Sequence, residues 1–274
     1  MAATGVAPYD RDLVSWPDVG SQPALVVENL GPADVNTIVN WQHHILKDDL
    51  QRAIYRSSAN RPKPFLEPTL VRRPAVYADF LRHMHQAGML GWREGGESLM
   101  GVFFVPKKSG KIRIILDTRD VNNFFKPPPS TKLPSAAAFS AVESWELRDE
   151  EGDLPHLHFS AGDVRDYFYH VQVPESLSDW FSLPGIEARY LPDITVGGRK
   201  PLHRTKLVPL LRVLPMGWGW SLHIAQKVHE FRVAQTQLDL HHRIVDQRPG
   251  ACFFRQFCMS CELCRQLLCH QLRP

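Results

Sequence analysis

The spacing of apolar residues along the chain changes from helical to strand-like and back, and each change marks an element. Over residues 1–69, an irregular lead-in rich in Pro, Asn and Asp, one helix is predicted near Asp34 to Ala53, where Val35, Ile38, Val39, Ile45 and Leu46 recur at helical spacing. Arg73-Pro74 opens a firmer helix. Proline suits the first helical turn, and Tyr77, Phe80, Leu81 and Met84 fall at i, i+3, i+4 and i+7 before Gly88 and Gly91 end it. From Leu99 the period becomes that of strands. Met100–Pro106 and Ile112–Leu116 are β-branched and aromatic, and the Ser109-Gly110 turn signal lies between them, so a β-hairpin with a basic tip is predicted.

Lys126-Pro-Pro-Pro-Ser130 reads as a stiff extended connector, Ala136–Phe139 as a helix, and Arg148–Asp153 as an acidic surface loop. Leu157, Phe159 and Ala161 alternate as one face of a short strand, followed by Gly162, by Asp163 and Asp166, and by the aromatic run Tyr167, Phe168, Tyr169. Further on, Pro174–Ser176 begins a helical turn and Trp180–Leu183 a strand. Ile186–Tyr190 and Leu202–Val213 form a hairpin around Gly197-Gly198. The glycine-interrupted loop Leu214–Ser221 comes next, with Ser221 placed to cap a helix carrying Ile224, Val228 and Phe231 on one face. There is no internal repeat and no low-complexity tract.

Composition changes this picture little: 274 residues with 43% hydrophobic and 22% charged content suffice for one large domain or two modest ones. The distribution of charge matters more than the net +3. Between Leu99 and Leu133 seven cations (Lys107, Lys108, Lys111, Arg113, Arg119, Lys126, Lys132) face two acids (Asp117, Asp120), which suits a polyanionic partner or a solvated charged face. No secretory signal opens the chain, and no run approaches the roughly 20 apolar residues that cross a bilayer, so the expectation is an intracellular protein, cytoplasmic or nuclear, without a membrane partner. All five cysteines lie in the last 23 residues, which leaves the body without a disulfide option.

Two carboxylates at the end of a buried strand are costly unless a cation meets them, and a divalent metal is the usual answer. Asp163 is therefore the candidate metal ligand, while Asp166 is expected to hydrogen-bond locally. Upstream, the basic hairpin runs into Arg113-x-x-x-Asp117-x-Arg119-x-x-Asn122; downstream lies Leu214-Pro-Met-Gly217.

In this order the three segments resemble a reverse transcriptase of the retroelement type, over roughly residues 70 to 245. Val105–Asn122 resembles the fingers hairpin, Asp163-Val-Arg-Asp-Tyr-Phe-Tyr-x-Val-x-Val the palm strand called motif A, and Val213-Leu-Pro-Met-Gly-Trp motif B. The resemblance implies an α+β fold of the right-hand polymerase kind. Its parts would be a fingers subdomain over 70–135 and an incomplete palm over 136–245, the palm an antiparallel sheet with helices on one face. It also implies RNA-templated DNA synthesis with Mg²⁺, and a template-primer of RNA or DNA with deoxynucleotides as partners. Asp163 would be the catalytic, metal-binding carboxylate and the Val164 carbonyl a second metal contact. Arg113 and either Lys107 or Lys108 would hold the triphosphate, Arg through its bidentate fork and Lys as a point charge. Phe168 would screen the sugar against a 2′-hydroxyl, although the aromatic run also reads as plain core. Met216 would pack on the sugar and Gly217 would let the backbone come close. Many family members carry Gln where this chain has Met216.

One element of the pattern is missing. The aromatic-x-Asp-Asp signature of motif C should follow motif B, yet only Asp239 and Asp246 follow Gly217 and neither has an Asp neighbour; Asp48-Asp49 lies on the wrong side of Asp163. Where motif C is due, composition shifts to a cysteine-rich tail over 246–274, expected to be non-native sequence or disordered. Truncation of the coding sequence is one account of this tail. A metal module is the other, since Cys258, Cys261 and Cys264 have C-x-x-C-x-x-C spacing with Cys269 and His270 nearby. The histidine pairs (His43-His44, His83 and His85, His156 and His158, His241-His242) lack ligand partners and are expected at or near the surface. Two functions follow as expectations: a polymerase fragment inactive alone, because one carboxylate cannot supply the electrostatics of the set, or a non-catalytic nucleic-acid-binding remnant.

Overall fold

The computed structural model describes residues 5–17, 22–131, 133, 136 and 163–236. It is a mixed α+β structure with small, mostly antiparallel sheets. The chain divides into two compact units, one formed by 1–128 with 166–222 and the other by 129–165 with 223–274. The predicted helix at Ala136–Phe139, the acidic loop, the strand Leu157–Ala161 and the cysteine-rich tail lie outside the described residues.

In the first unit, β1 (Ala24–Leu25) precedes α1 (Pro32–Val39), α2 (Trp41–His44), α3 (Asp49–Ser57), α4 (Pro68–Arg72) and α5 (Pro74–Gln86). The single helix expected over Asp34–Ala53 is thus three short ones. Asp48 accounts for the restart: its side chain accepts from the Gln51 N–H (2.8 Å) as an N-cap, so a new helix begins there. Helix α3 also lays two of its arginines against aromatic rings and leaves its aliphatic side chains in solvent. Arg52 and Arg56 lie over the Trp180 ring at 5.9 and 5.8 Å, while Leu50 and Ile54 are 70% and 62% exposed. Guanidinium groups tolerate this because aromatic faces attract cations and the Arg stems bury like apolar chains.

Helix α5 behaves as its spacing predicts, with Tyr77, Phe80, Leu81 and Met84 all buried. It packs against the hairpin of β3 (Gly101–Pro106) and β4 (Ile112–Asp117), paired from Gly101↔Asp117 to Pro106↔Ile112. Phe80 meets Phe104 edge-on at 5.6 Å. A strap made of residues 5–17 closes both edges of this hairpin: the Ala7 N–H donates to the Phe104 carbonyl (2.8 Å), and Ile112 exchanges hydrogen bonds with Leu13 and Ser15. Tyr9 and Trp16 of the strap cover Phe80 at 5.7 and 5.6 Å.

A second sheet has the order β2 (Leu90–Glu94), β7 (Lys206–Leu211), β6 (Ile186–Glu187), all antiparallel. The predicted strand at Trp180–Leu183 is realised in part: after the turn that follows α7 (Glu175–Ser178), Ser182 pairs antiparallel with Leu210 of β7, the Leu183 N–H donating to the Pro209 carbonyl and the Leu211 N–H to that of Phe181 (2.9 Å each). There Ser182, fully buried, donates from Oγ to the Glu97 carbonyl (3.0 Å) and accepts from the Leu99 N–H (3.1 Å). Strand β5 (Val171–Gln172) runs parallel to β1. Helix α8 (Gly219–Ala234) begins in the first unit and continues as part of the second from His223; there Ile224, Ala225 and Val228 are buried and Lys227 pairs with Glu230 at 3.2 Å.

Candidate functional site

The site is built from three segments of the first unit that are far apart in sequence. The first is the basic hairpin and its base. At the tip the Lys107 N–H donates to the Lys111 carbonyl (2.7 Å), and Gly110 holds φ 80°, a conformation that favours glycine. Along β4, Ile112, Ile114 and Leu116 are buried and Arg113 points outward, exposed together with Lys108 and Lys111; Lys107 is half-buried. The alternation of the strand thus separates an apolar core face from a cationic one.

The second segment follows Asp166, the only described non-glycine residue with positive φ (54°). Its carbonyl accepts from the Tyr169 N–H (2.8 Å), closing the 3₁₀ turn Tyr167–His170. This bond is made by the Asp166 backbone; its side chain does not cap the turn. In this turn Tyr169 is buried and Phe168 half-buried, its ring 6.3 Å from that of Tyr167. Burial pushes the Tyr169 phenol up, the Asp166 charge adds to this, and Arg113 pulls the other way, so the hairpin cation is within electrostatic reach of the aromatic turn.

The third segment is the loop Leu214–Gly219. The Leu214 N–H donates to the Val171 carbonyl (3.1 Å), and the Val173 N–H to that of Arg212 (2.8 Å), which ties this loop to the second segment. Asn122, at the end of α6 (Arg119–Asn122), ties it to the hairpin base. Its Nδ2 donates to the Gly217 carbonyl (3.0 Å) and its Oδ1 accepts from the Gly219 N–H (2.9 Å). Gly217 has φ 109°, and a Cβ there would lie 3.0 Å from Thr118 Oγ1, so both conformation and space call for glycine. Ser221 does not cap α8. It donates from Oγ to the Pro215 carbonyl (2.7 Å) and so braces the same loop. Trp218 packs between Phe125 and Phe181 at 5.3 and 4.9 Å; Met216 is half-buried and Gly217 exposed.

Beneath the hairpin sit two buried acids that the sequence presents only as charge. Asp117 accepts from Arg119 Nε and Nη2 (2.8 Å each) and from the backbone N–H groups of Phe65 (2.9 Å) and Arg119 (3.3 Å). Burial pushes this carboxyl up, but the Arg119 side chain and the two backbone amides outweigh it and hold it below its ordinary value. Asp120 accepts from Tyr55 Oη (2.8 Å) and from Arg61 Nε and Nη2 (3.1 and 2.7 Å). Burial, with the Asp120 bond second, pushes the Tyr55 phenol up to about 12.

Asp163 and Val164 belong to the second unit; Asp163 is exposed and Val164 half-buried. The Asp163 carboxylate and the Val164 carbonyl are hard oxygen donors of the kind Mg²⁺ takes alongside substrate phosphates. Among the described residues no group of three or more His, Cys, Asp or Glu converges on one point. His43, His44 and His85 are exposed and His83 is half-buried against Trp16, while His156, His158, His241 and His242 lie outside the described residues. No described helix is long and apolar enough to cross a membrane.

Asn122 stood in the hairpin pattern without a role in the sequence reading. Its helical spacing from Thr118, with a 3.3 Å bond between the two side chains, is the one local signal that could have marked it. In comparisons with known proteins, no family model and no curated protein matches the chain.

Proposed function

We propose that this chain is the fingers and partial palm of a reverse transcriptase, a unit that binds a nucleic-acid template-primer and a deoxynucleoside triphosphate. The observation that carries the reading is the meeting of three remote segments in one unit: Asn122 bonds the Gly217 loop to the hairpin base, and Val171 bonds the same loop to the aromatic turn. Within that unit the exposed Lys108, Lys111 and Arg113, the half-buried Phe168 and the open Gly217 backbone offer cations for phosphates, a ring for a sugar and a close approach for a base.

In this reading Arg113 and one of Lys107 and Lys108 hold the triphosphate, Phe168 excludes a 2′-hydroxyl, and Met216 packs on the sugar. Asp163 and the Val164 carbonyl would hold Mg²⁺, which when bound neutralises charge developing on the transferred phosphoryl group. A second reading, binding without catalysis, is favoured by one specific observation: no aromatic-x-Asp-Asp follows Gly217 in the sequence.

Primer extension with Mg²⁺ or Mn²⁺, run beside a salt titration of template-primer binding, tests both. The expected result is binding that weakens steeply with salt and no extension. Deoxynucleotide incorporation that disappears in Asp163→Asn would instead establish the working enzyme, and a chain that neither binds nor extends would sink both readings.

A further inference from the structure

We propose that the excursion between β6 and β7, residues 188–206, is a second contact for the phosphodiester backbone of a nucleic acid, outside the site already described. The proposal rests on the nucleic-acid reading above but on different residues. Arg199, Lys200, Arg204 and Lys206 are all exposed, and none makes an ion pair among the described residues. Acids near them are few: Asp193 is the one acid inside the excursion, Glu187 across from Lys206 is taken up by Arg189 (3.0 Å), and no acidic residue occurs between Asp193 and Glu230. Uncompensated cations of this kind are where a polyanion releases its counterions on binding.

The excursion is also built to hold its cations in place. Gly197 and Gly198 have φ 56° and 74°, consecutive left-handed residues that fit a tight hairpin turn, and Val196 and Arg199 exchange backbone hydrogen bonds across it (2.9 and 3.0 Å). At its base the Ala188 N–H donates to Thr205 (2.9 Å) and the Arg189 N–H to His203 (3.0 Å). Leu191 and Ile194 are buried, and Arg82 Nη2 of α5 donates to the Tyr190 carbonyl (2.9 Å), so the whole excursion is pinned to the body of the unit. The stem of Lys206 lies across Gly185, where a Cβ would displace it. Cations on a fixed frame spare the cost of ordering the loop on binding.

Nucleic acid suits this surface better than an anionic membrane does. Arginine forks bind phosphate oxygens bidentately. The only strongly exposed apolar side chain among the four cations is Leu202, 80% exposed, and one leucine lacks the apolar stripe that interfacial anchoring uses.

The test compares wild type with two charge-removed forms, the excursion variant Arg199→Gln/Lys200→Gln/Arg204→Gln/Lys206→Gln and the hairpin variant Lys107→Gln/Lys108→Gln/Arg113→Gln. Binding of each to a labelled single-stranded RNA is followed across a salt series, with circular dichroism to confirm folding. The proposal expects the excursion variant to bind more weakly, with its log K against log salt slope shallower by up to about 3, roughly 0.7 per lost phosphate contact. If only the hairpin variant changes, the excursion is not a contact while the proposed function survives. If neither changes, both fall. Vesicles of phosphatidylserine and phosphatidylcholine that bind wild type but not the excursion variant, with RNA binding unaltered, would overturn the proposal in favour of a membrane surface. Should the four-site form misfold, Arg199→Gln/Lys200→Gln at the exposed turn carries the same test at about half the slope change.

Discussion

Asp117 and Asp120 lie 5% and 3% exposed at the base of the basic hairpin, each gripped by an arginine, whereas Asp163 is exposed and makes no hydrogen bond or ion pair among the described residues. All three are aspartates in the segments that suggested a polymerase, yet their surroundings give them opposite capacities. A buried carboxylate is tolerated only when its charge is met and its oxygens accept donors, and those of Asp120 are occupied by Tyr55 and both sides of the Arg61 fork. Three donors on a carboxylate only 3% exposed leave little of it for a metal or a substrate. Asp163 keeps its oxygens free, as a metal ligand must. The same contrast revises the charge of the hairpin: Arg119 is neutralised by Asp117, and the cations left for a polyanion are Lys107, Lys108, Lys111 and Arg113.

The largest effect should come from Asp120→Ala, which leaves Arg61 and Tyr55 facing a void. Removing one member of a buried ion pair costs about 3–5 kcal/mol, readable as a lower denaturation midpoint. A loss below about 1 kcal/mol would mean that Asp120 is no more structural than a surface acid. Gly217→Ala comes next, about 1–3 kcal/mol for the strain at φ 109° beside Thr118, with template-primer binding reduced if this loop is the contact surface.

Acid titration separates the two kinds of aspartate more gently. Because Asp117 is held below its ordinary value, its contribution is complete above the unfolded carboxyl value of about 4 and is lost as pH falls through the lower native one. Urea midpoints measured down this range should fall less in Asp117→Asn than in wild type. On the alkaline side, the raised Tyr55 phenol makes its contribution disappear from about 10 upward, through about 12, and Tyr55→Phe should flatten that loss. The smallest effect belongs to Asp163→Asn, within about 0.5 kcal/mol of wild type, as for most surface substitutions. A large destabilisation there would place Asp163 with the structural acids and remove it as a metal ligand.

Local pattern made part of this legible. The spacing of Tyr77, Phe80, Leu81 and Met84 fixed helix α5, and the alternation through Val102, Phe104, Ile112 and Ile114 fixed the hairpin with its cationic tip. Pattern failed where the deciding partner is remote. Trp180–Leu183 has strand composition, yet only Phe181–Leu183 pairs with β7, and the buried Ser182 spends its hydroxyl on Glu97 and Leu99, 85 and 83 residues away. Asn122 gains its role only from Gly217 and Gly219, 95 and 97 residues later. The ring-stacked arginines of α3 depart from the usual amphipathic reading, since their rings are supplied by the remote Phe124 and Trp180. The identity of the loop as Leu214–Gly217 was visible in sequence; what holds it was not.

The strap of residues 5–17 sets a timetable for the nascent chain. Its partner Ile112 is synthesised almost a hundred residues after Val14, which at about 5–20 residues per second leaves Tyr9 and Trp16 without their docking surface for several seconds or longer. The strap is therefore made well before it can be secured, and until it is, the outer edge of β4 beside Ile112 and that of β3 beside Phe104 stand open to any other strand in reach. Yield of folded protein should accordingly depend on how quickly the hairpin follows the strap, and on what else is present to hold those edges in the interval.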